Sequence, residues 1–320
     1  MEFTGRGFSI FGMFVNWYGV IIAFGMLLGL IVAIKTFKKR GYKMDTVIDI
    51  ALVAIPSSIV GARLYYVIFF THDYSFWEIF KIWEGGMAIY GGVIGGFVGV
   101  LIYCLIKKIN LLEVCDCIAP SLILGQAIGR WGNFTNQEAY GNLITDPNWQ
   151  FFPFAVNIPS SHFTPEATDA VINAFGSVVD NAWFMATFFY ESMWNFIVFS
   201  VLLLVFFKVG VRGLTVCSYF ILYGIGRFVI EGLRLDSLYW GSFRVSQVLS
   251  LLLVIAFVIF AGYIIWKEYK NKKLSLKVTA DEISSSGEIT QNVATASKQN
   301  ESQAVSVMDV KIGDEKGGSE

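Results

Sequence analysis

Seven long apolar runs, near 17–34, 47–70, 86–106, 117–133, 189–207, 214–233 and 245–266, constrain this chain more than any other feature. A helix needs about 20 apolar residues to cross a bilayer core, and a barrel strand about half that. Lipid offers no water to backbone N–H and C=O groups, so each run must satisfy its own as a helix. The predicted fold class is therefore all-α: a polytopic membrane protein with about seven transmembrane helices, the fourth of them the shortest. Composition agrees, with 55% apolar and 15% charged residues, against about a quarter charged in soluble domains. No basic domain suited to nucleic acid is present, which leaves the membrane bilayer as the obligatory partner.

Lysine and arginine placement predicts orientation. Lys35, Lys38, Lys39, Arg40 and Lys43 follow the first run, Lys107 and Lys108 the third, Lys208 and Arg212 the fifth, and Lys267, Lys270, Lys272, Lys273 and Lys277 the seventh. The other side carries Arg6, Lys81, Arg234 and Arg244, and the long segment 134–188 has no Lys or Arg. The N-terminus is thus expected outside and the C-terminus in the cytoplasm. The opening MEFTGRGFSIFGMF has neither a basic n-region nor a small-residue cleavage site, so no cleaved signal peptide is expected. Residues 1–273 form one expected membrane-embedded domain with an extracytoplasmic loop at 134–188. Residues 274–320, polar and almost free of aromatics, are expected to be a disordered cytoplasmic tail. The 134–188 loop is rich in aromatics and prolines, from Trp149 to Trp183; it is expected to be partly ordered and to lie against the membrane interface.

Cys104, Cys115, Cys117 and Cys217 all fall on the cytoplasmic side, where thiols stay reduced. His72 and His162 are far apart in sequence, and no metal or other cofactor is expected. In GGVIGGFVG (91–99) small residues recur every fourth position, a spacing that lets helix backbones approach closely in lipid.

Polar residues within spans are costly and mark function. On the predicted topology they gather at the outer ends: Asn16 and Tyr18, Arg63, Tyr90, Arg130 and Asn133 with Glu138 just beyond, Tyr190, Glu191 and Asn195, then Arg227, Glu231 and Arg234. Arg227 and Glu231 share a helix face, as do Arg130 and Asn133. Arginine's planar fork suits phosphate, and the anion available at that depth is a phospholipid headgroup. Bland alternatives stand beside this. Arg227 and Glu231 could be a buried strut, Arg63 could reach the interface or pair with Glu191, and Arg130 could only lock its helix. Tyr18, Tyr65, Tyr66 and Tyr190 could be interface aromatics.

GRWGNFTNQEAYG (129–141) resembles the signature G-R-x-G-N-F-x-N-x-E-x-x-G of the prolipoprotein diacylglyceryl transferase family. GARLYYVIF (61–69), WEGGMAIYGGVIGG (83–96), FFYESMWN (188–195) and YGIGRFVIEGLR (223–234) resemble its other motifs, in order. The resemblance implies transfer of a diacylglyceryl group from phosphatidylglycerol to the lipobox cysteine of an exported prolipoprotein, giving a thioether and glycerol phosphate. It implies a bacterial cytoplasmic (inner) membrane and an active site near the outer leaflet. Lipid-binding residues would be Arg130, Asn133, Arg63, Arg227, Tyr18 and Gly141. Catalytic residues would be Arg130 and Arg227, which stabilise the developing phosphate charge, with Tyr90, Glu138 or Glu231 as proton acceptor. Many relatives carry His where Tyr90 stands and His-Pro where Met185 and Ala186 stand, so no histidine base carries over. With no thiol on the outer side, direct transfer is expected. A transporter or channel, and a lipid-binding scaffold without turnover, are the competing classes. Polar groups clustered at one face argue against a through-path, because transporter sites tend to lie near the midplane.

Overall fold

The computed structural model describes residues 2–4, 7–10, 13–70, 81, 85–235, 239–240 and 243–274. His72, Arg6 and the segment from 275 onward, all invoked above, lie outside the described residues. Among the described residues, seven helices are long and apolar enough to cross a membrane. They are α1 (Trp17–Lys39), α2 (Met44–Phe70), α3 (Ile89–Lys107), α4 (Leu111–Asn136), α6 (Thr187–Leu204, continued by a π turn Val205–Val209), α7 (Leu214–Glu231) and α8 (Val245–Leu274). The protein is an all-α, multi-pass membrane protein. Its short strands all lie outside the spans: β1 (Glu2–Thr4), β2 (Gly7–Ile10) and β3 (Met13–Asn16) form an antiparallel sheet just before α1.

The fourth span is the main correction to the boundaries. It runs 26 residues and is not the shortest. Glu113 and Asp116, which precede the expected start near 117, both lie inside the helix and both have partners. Asn110 caps the helix by accepting the Glu113 N–H. Glu113 accepts the Tyr42 hydroxyl at 3.2 Å and pairs with Arg212 at 3.7 Å. Asp116, fully buried, accepts the N–H groups of Gly213 (2.6 Å) and Val216 (2.9 Å). Gly213 has no side chain to cap α7, so a carboxylate from α4 serves as the cap, as an Asp at that position would. Arg40 stands 4.0 Å from the same carboxylate and donates to the Gly210 carbonyl. Around this basic end, Phe37, Ile50, Tyr103, Cys104, Cys117 and Phe206 form one core.

Helices α2 and α3 meet along a glycine seam. A Cβ at Gly61, Gly91 or Gly95 would overlap backbone of the facing helix, at Gly91, Gly61 and Ser57 respectively. Ser58 Oγ donates across the seam to the Gly92 carbonyl at 2.9 Å. Contact this close is what small residues offer in lipid, where dispersion and hydrogen bonds drive association.

The segment after α4 is ordered into a small head. Strands β4 (Ala155–Pro159) and β5 (Asn181–Met185) pair antiparallel and enclose α5 (Pro165–Phe175). Thr164 caps α5, Pro165 opens it, and Gly176 closes it in the left-handed region at φ 81°. One face of the hairpin packs Val156, Ile158 and Phe184 against Ala167 and Val171 of α5 and against Tyr140. The buried Tyr140 hydroxyl donates to the His162 carbonyl and accepts the Thr164 N–H, both at 2.9 Å. Residues 141–144 add to the free edge of β5: Gly141 N–H donates to Met185, Met185 N–H to Asn142, and Ile144 N–H to Trp183. On its other side this segment meets the end of α7, where Asn142 N–H donates to the Leu233 carbonyl.

Candidate functional site

Two indole bolts set the register of the helices that carry the site. Trp131 of α4 donates to Ser192 Oγ of α6 at 3.1 Å, and Ser192 donates back to the Ala127 carbonyl at 2.8 Å. Trp194 of α6 sits where a Cβ on Gly226 of α7 would be, and donates to the Leu222 carbonyl at 2.9 Å. Glu191 immediately precedes Ser192 on α6, and opposite it stand Arg130 on α4 and Arg227 on α7. Arg130 Nη2 is 2.5 Å from Glu191 Oε1. Arg227 reaches Glu191 Oε2 at 3.4 Å and Glu231 Oε2 at 2.7 Å. Arg244 donates to the Glu231 carbonyl, closing the cluster from the strand before α8.

The layering of this cluster decides its chemistry. Side-chain exposure is 21% for Arg130 and 19% for Arg227, but 4% for Glu191 and 3% for Glu231. The carboxylates lie beneath and the guanidiniums above. Each guanidinium has five N–H donors, so donors remain beyond those engaged with carboxylates. A buried carboxylate that bridges two arginines fixes them in one geometry, and truncating it would leave two cations with less compensation. Arg130 also hydrogen-bonds the Tyr223 hydroxyl. Below it, Tyr219 stacks on Tyr223 at 5.7 Å and receives the Gln126 amide at 3.0 Å.

Glu138 belongs to a second group, at the C-terminal end of α4. Its Oε1 accepts the side-chain amides of Asn133 (2.9 Å) and Asn136 (3.3 Å), and its own N–H donates to the Asn133 carbonyl. Gln137 and Ala139 flank it in the left-handed region, at φ 54° and 58°. That sharp turn ends α4 and leaves Glu138 exposed, eight residues after Arg130.

The other candidates fall elsewhere. Arg63 is buried and donates to the carbonyls of Gly85 (2.7 Å) and Gly86 (3.0 Å), the segment leading into α3; it is turned there and not to Glu191. The Tyr18 ring packs on Gly132, where a Cβ would lie 2.7 Å from it; Gly132 is two positions from Arg130 and so on a different face of α4. Gly141 is a close backbone approach: a Cβ there would lie 2.7 Å from the Leu233 carbonyl and 2.7 Å from Thr187. Tyr90, on α3, is 55% exposed, and among the described residues no contact ties it to the Glu191 cluster. The strut alternative for Arg227 and Glu231 describes their contact, yet Arg227 also reaches Glu191 and keeps an exposed side. His162 contributes its carbonyl to the head fold. Among the described residues no group of three metal-binding side chains occurs.

Sequence reading noted Glu191 but did not select it. Its signal was available, in the same late motif FFYESMWN. Tyr223, Trp131 and Trp194 were also missed, because aromatic residues in a membrane chain are too common to single out.

The profile of the prolipoprotein diacylglyceryl transferase family matches residues 7–263. A Listeria monocytogenes protein named phosphatidylglycerol-prolipoprotein diacylglyceryl transferase is 45% identical over 258 residues, covering 80% of this chain and 87% of the relative. Relatives of that name from Clostridium botulinum, at 43% over 264 residues, and Clostridium perfringens, at 39% over 269 residues, are covered over 97% and 96% of their lengths and over 82% and 83% of this chain.

Proposed function

Because this chain belongs to the prolipoprotein diacylglyceryl transferase family, we propose that Arg130 and Arg227 hold the phosphate of its lipid substrate and stabilise the leaving group. The protein is a transferase that moves a diacylglyceryl group from phosphatidylglycerol to a prolipoprotein. The acceptor in this reading is the lipobox cysteine thiol. Its sulfur attacks the glycerol carbon that bears the phosphate ester. The C–S bond forms as the C–O bond breaks, and the electron pair passes to the departing phosphate oxygen. The diester monoanion becomes a monoester with one more negative charge, released as glycerol phosphate.

The observation that carries this reading is the layered cluster, with Glu191 almost fully buried and two arginines that each keep about a fifth of their side chain exposed. Donors fixed in advance stabilise charge that develops in the transition state at no cost in reorganisation. Glu138 is the proton acceptor in this reading. Glu191 and Glu231 are buried and ion-paired, and Tyr90 stands apart from the cluster, whereas Glu138 is exposed at the end of the helix that carries Arg130 and is oriented by two amides. Asn133 acts through Glu138 by fixing that carboxylate. The lysine-rich end of the bundle faces the cytoplasm and the head faces outward, in keeping with the absence of Lys and Arg from 134–188. The membrane is the bacterial cytoplasmic membrane, with the site near its outer leaflet.

The test is turnover by purified protein in detergent with phosphatidylglycerol and a lipobox peptide, followed by peptide mass and glycerol phosphate release. Wild type is expected to add one diacylglyceryl group. Arg130→Ala and Arg227→Ala should each lower kcat by about 100-fold or more. Glu138→Gln should lower kcat while leaving phosphatidylglycerol binding in place. Transfer indifferent to both arginines would remove the site, and bound lipid without transfer would favour a scaffold.

A further inference from the structure

We propose that a cleft on the head receives the acceptor polypeptide just beyond its reacting cysteine. The inference rests on the transferase reading above and adds to it where the peptide lies. The cleft measures about 360 Å³ and is walled by Leu143, Trp149, Phe154, Met185 and Tyr190, with Asp146 at its rim. It is continuous with the site through the chain itself. Tyr190 directly precedes Glu191, and the backbone of Met185 pairs with Gly141 and Asn142 at the end of the signature segment. The Tyr190 hydroxyl donates to the Phe154 carbonyl at 2.5 Å, which ties the cleft wall to α6.

Charge decides between the two substrates. From 134 to 188 the chain carries Glu138, Asp146, Glu166, Asp169 and Asp180, all exposed, and no lysine or arginine. A surface of one sign repels an anion within a Debye length of about 8 Å at physiological salt. Phosphatidylglycerol and its phosphate product are both anions, so this cleft disfavours them. An extended polypeptide meets no such barrier, and apolar pockets with an exposed aromatic edge suit its alternate side chains. Trp149 is 49% exposed and supplies that edge. The acceptor chain must also leave the site away from lipid, on the face where the head stands.

The test compares two acceptor peptides: one ending a residue after the cysteine, the other continuing for eight residues with either lysines or glutamates. Thr145, exposed on the cleft wall, is replaced by Trp to fill it. Asp146→Asn removes the rim charge while keeping the acceptor that caps Asn148. Thr145→Trp should raise KM for the long peptides about tenfold, equivalent to about 1.4 kcal/mol. KM for the short peptide and for phosphatidylglycerol should stay put. Wild type should prefer the lysine extension, and Asp146→Asn should reduce that preference. Equal shifts for short and long peptides, or none, would overturn the proposal. Independently of turnover, a benzophenone amino acid at position 145 should crosslink the extension of the long peptide, and its failure to do so would overturn the cleft assignment. Failure of wild type to modify even the short peptide would instead overturn the transferase reading.

Discussion

Arg130 Nη2 lies 2.5 Å from Oε1 of Glu191, a side chain 4% exposed and contributed by a different helix. The same carboxylate reaches Arg227 at 3.4 Å. One residue thus holds together two cations from α4 and α7 that would otherwise repel.

Glu191→Gln should therefore separate orientation from charge. The neutral amide loses both ion pairs, and misplacement of about 1 Å can cost on the order of 100-fold in rate. We expect kcat to fall by about that factor. KM for phosphatidylglycerol should fall or hold, because removing the anion beneath leaves the arginines more attractive to phosphate. Steady-state kinetics on the folded protein check this. A rise in KM with kcat intact would mean that Glu191 serves lipid binding and not alignment.

Asp116 governs stability at the opposite end. Asp116→Ala removes the acceptor for Gly213 and Val216 N–H groups and takes a nearby anion from Arg40. The expected loss is about 3 kcal/mol, since hydrogen bonds to charged groups each contribute about 1.5–3. Asp116→Asn keeps one acceptor and should cost about half as much. Thermal unfolding in detergent, followed by thiol labelling of buried Cys217, measures both. Equal stability of wild type and Asp116→Ala would show that α7 needs no borrowed cap.

The α2–α3 seam offers a matched pair of substitutions. At Gly95 a Cβ would overlap the Ser57 carbonyl, whereas at Gly96 it would meet Ser58 Cβ at 3.5 Å. Gly95→Ala should destabilise by about 1–3 kcal/mol through overpacking. Gly96→Ala should be neutral or stabilising by up to about 1 kcal/mol through helix propensity. Tm values for the two proteins decide it, and similar values would mean that the seam yields readily to an added methyl group.

The spans were legible because lipid imposes one rule on all of them, an apolar run long enough to cross. Where the rule failed, at the start of α4, it failed because Glu113 and Asp116 are paired with residues about 70 to 100 positions away, which no local pattern records. The arginines and Glu138 were visible as charges in expensive places. Glu191 was not chosen, since its importance comes from what lies across α4 and α7 rather than from its own neighbours. Gly141 stood in the signature as a lipid-binding candidate, but its constraint is backbone contact with Leu233, which a one-letter code cannot display. The head was the least legible part. Its short strands, caps and aromatic core depend on the pairing of 141–144 with β5, and the sequence marks that edge with a single glycine.

That pairing makes the head a lever. Residues 141–142 are clasped by main chain on both sides, by β5 of the head and by the turn that ends α7. A tilt of the head is thus transmitted to the last turn of the helix bearing Arg227, without any side chain having to relay it. Four residues of backbone, 141–144, join the head to the helix that carries Arg227.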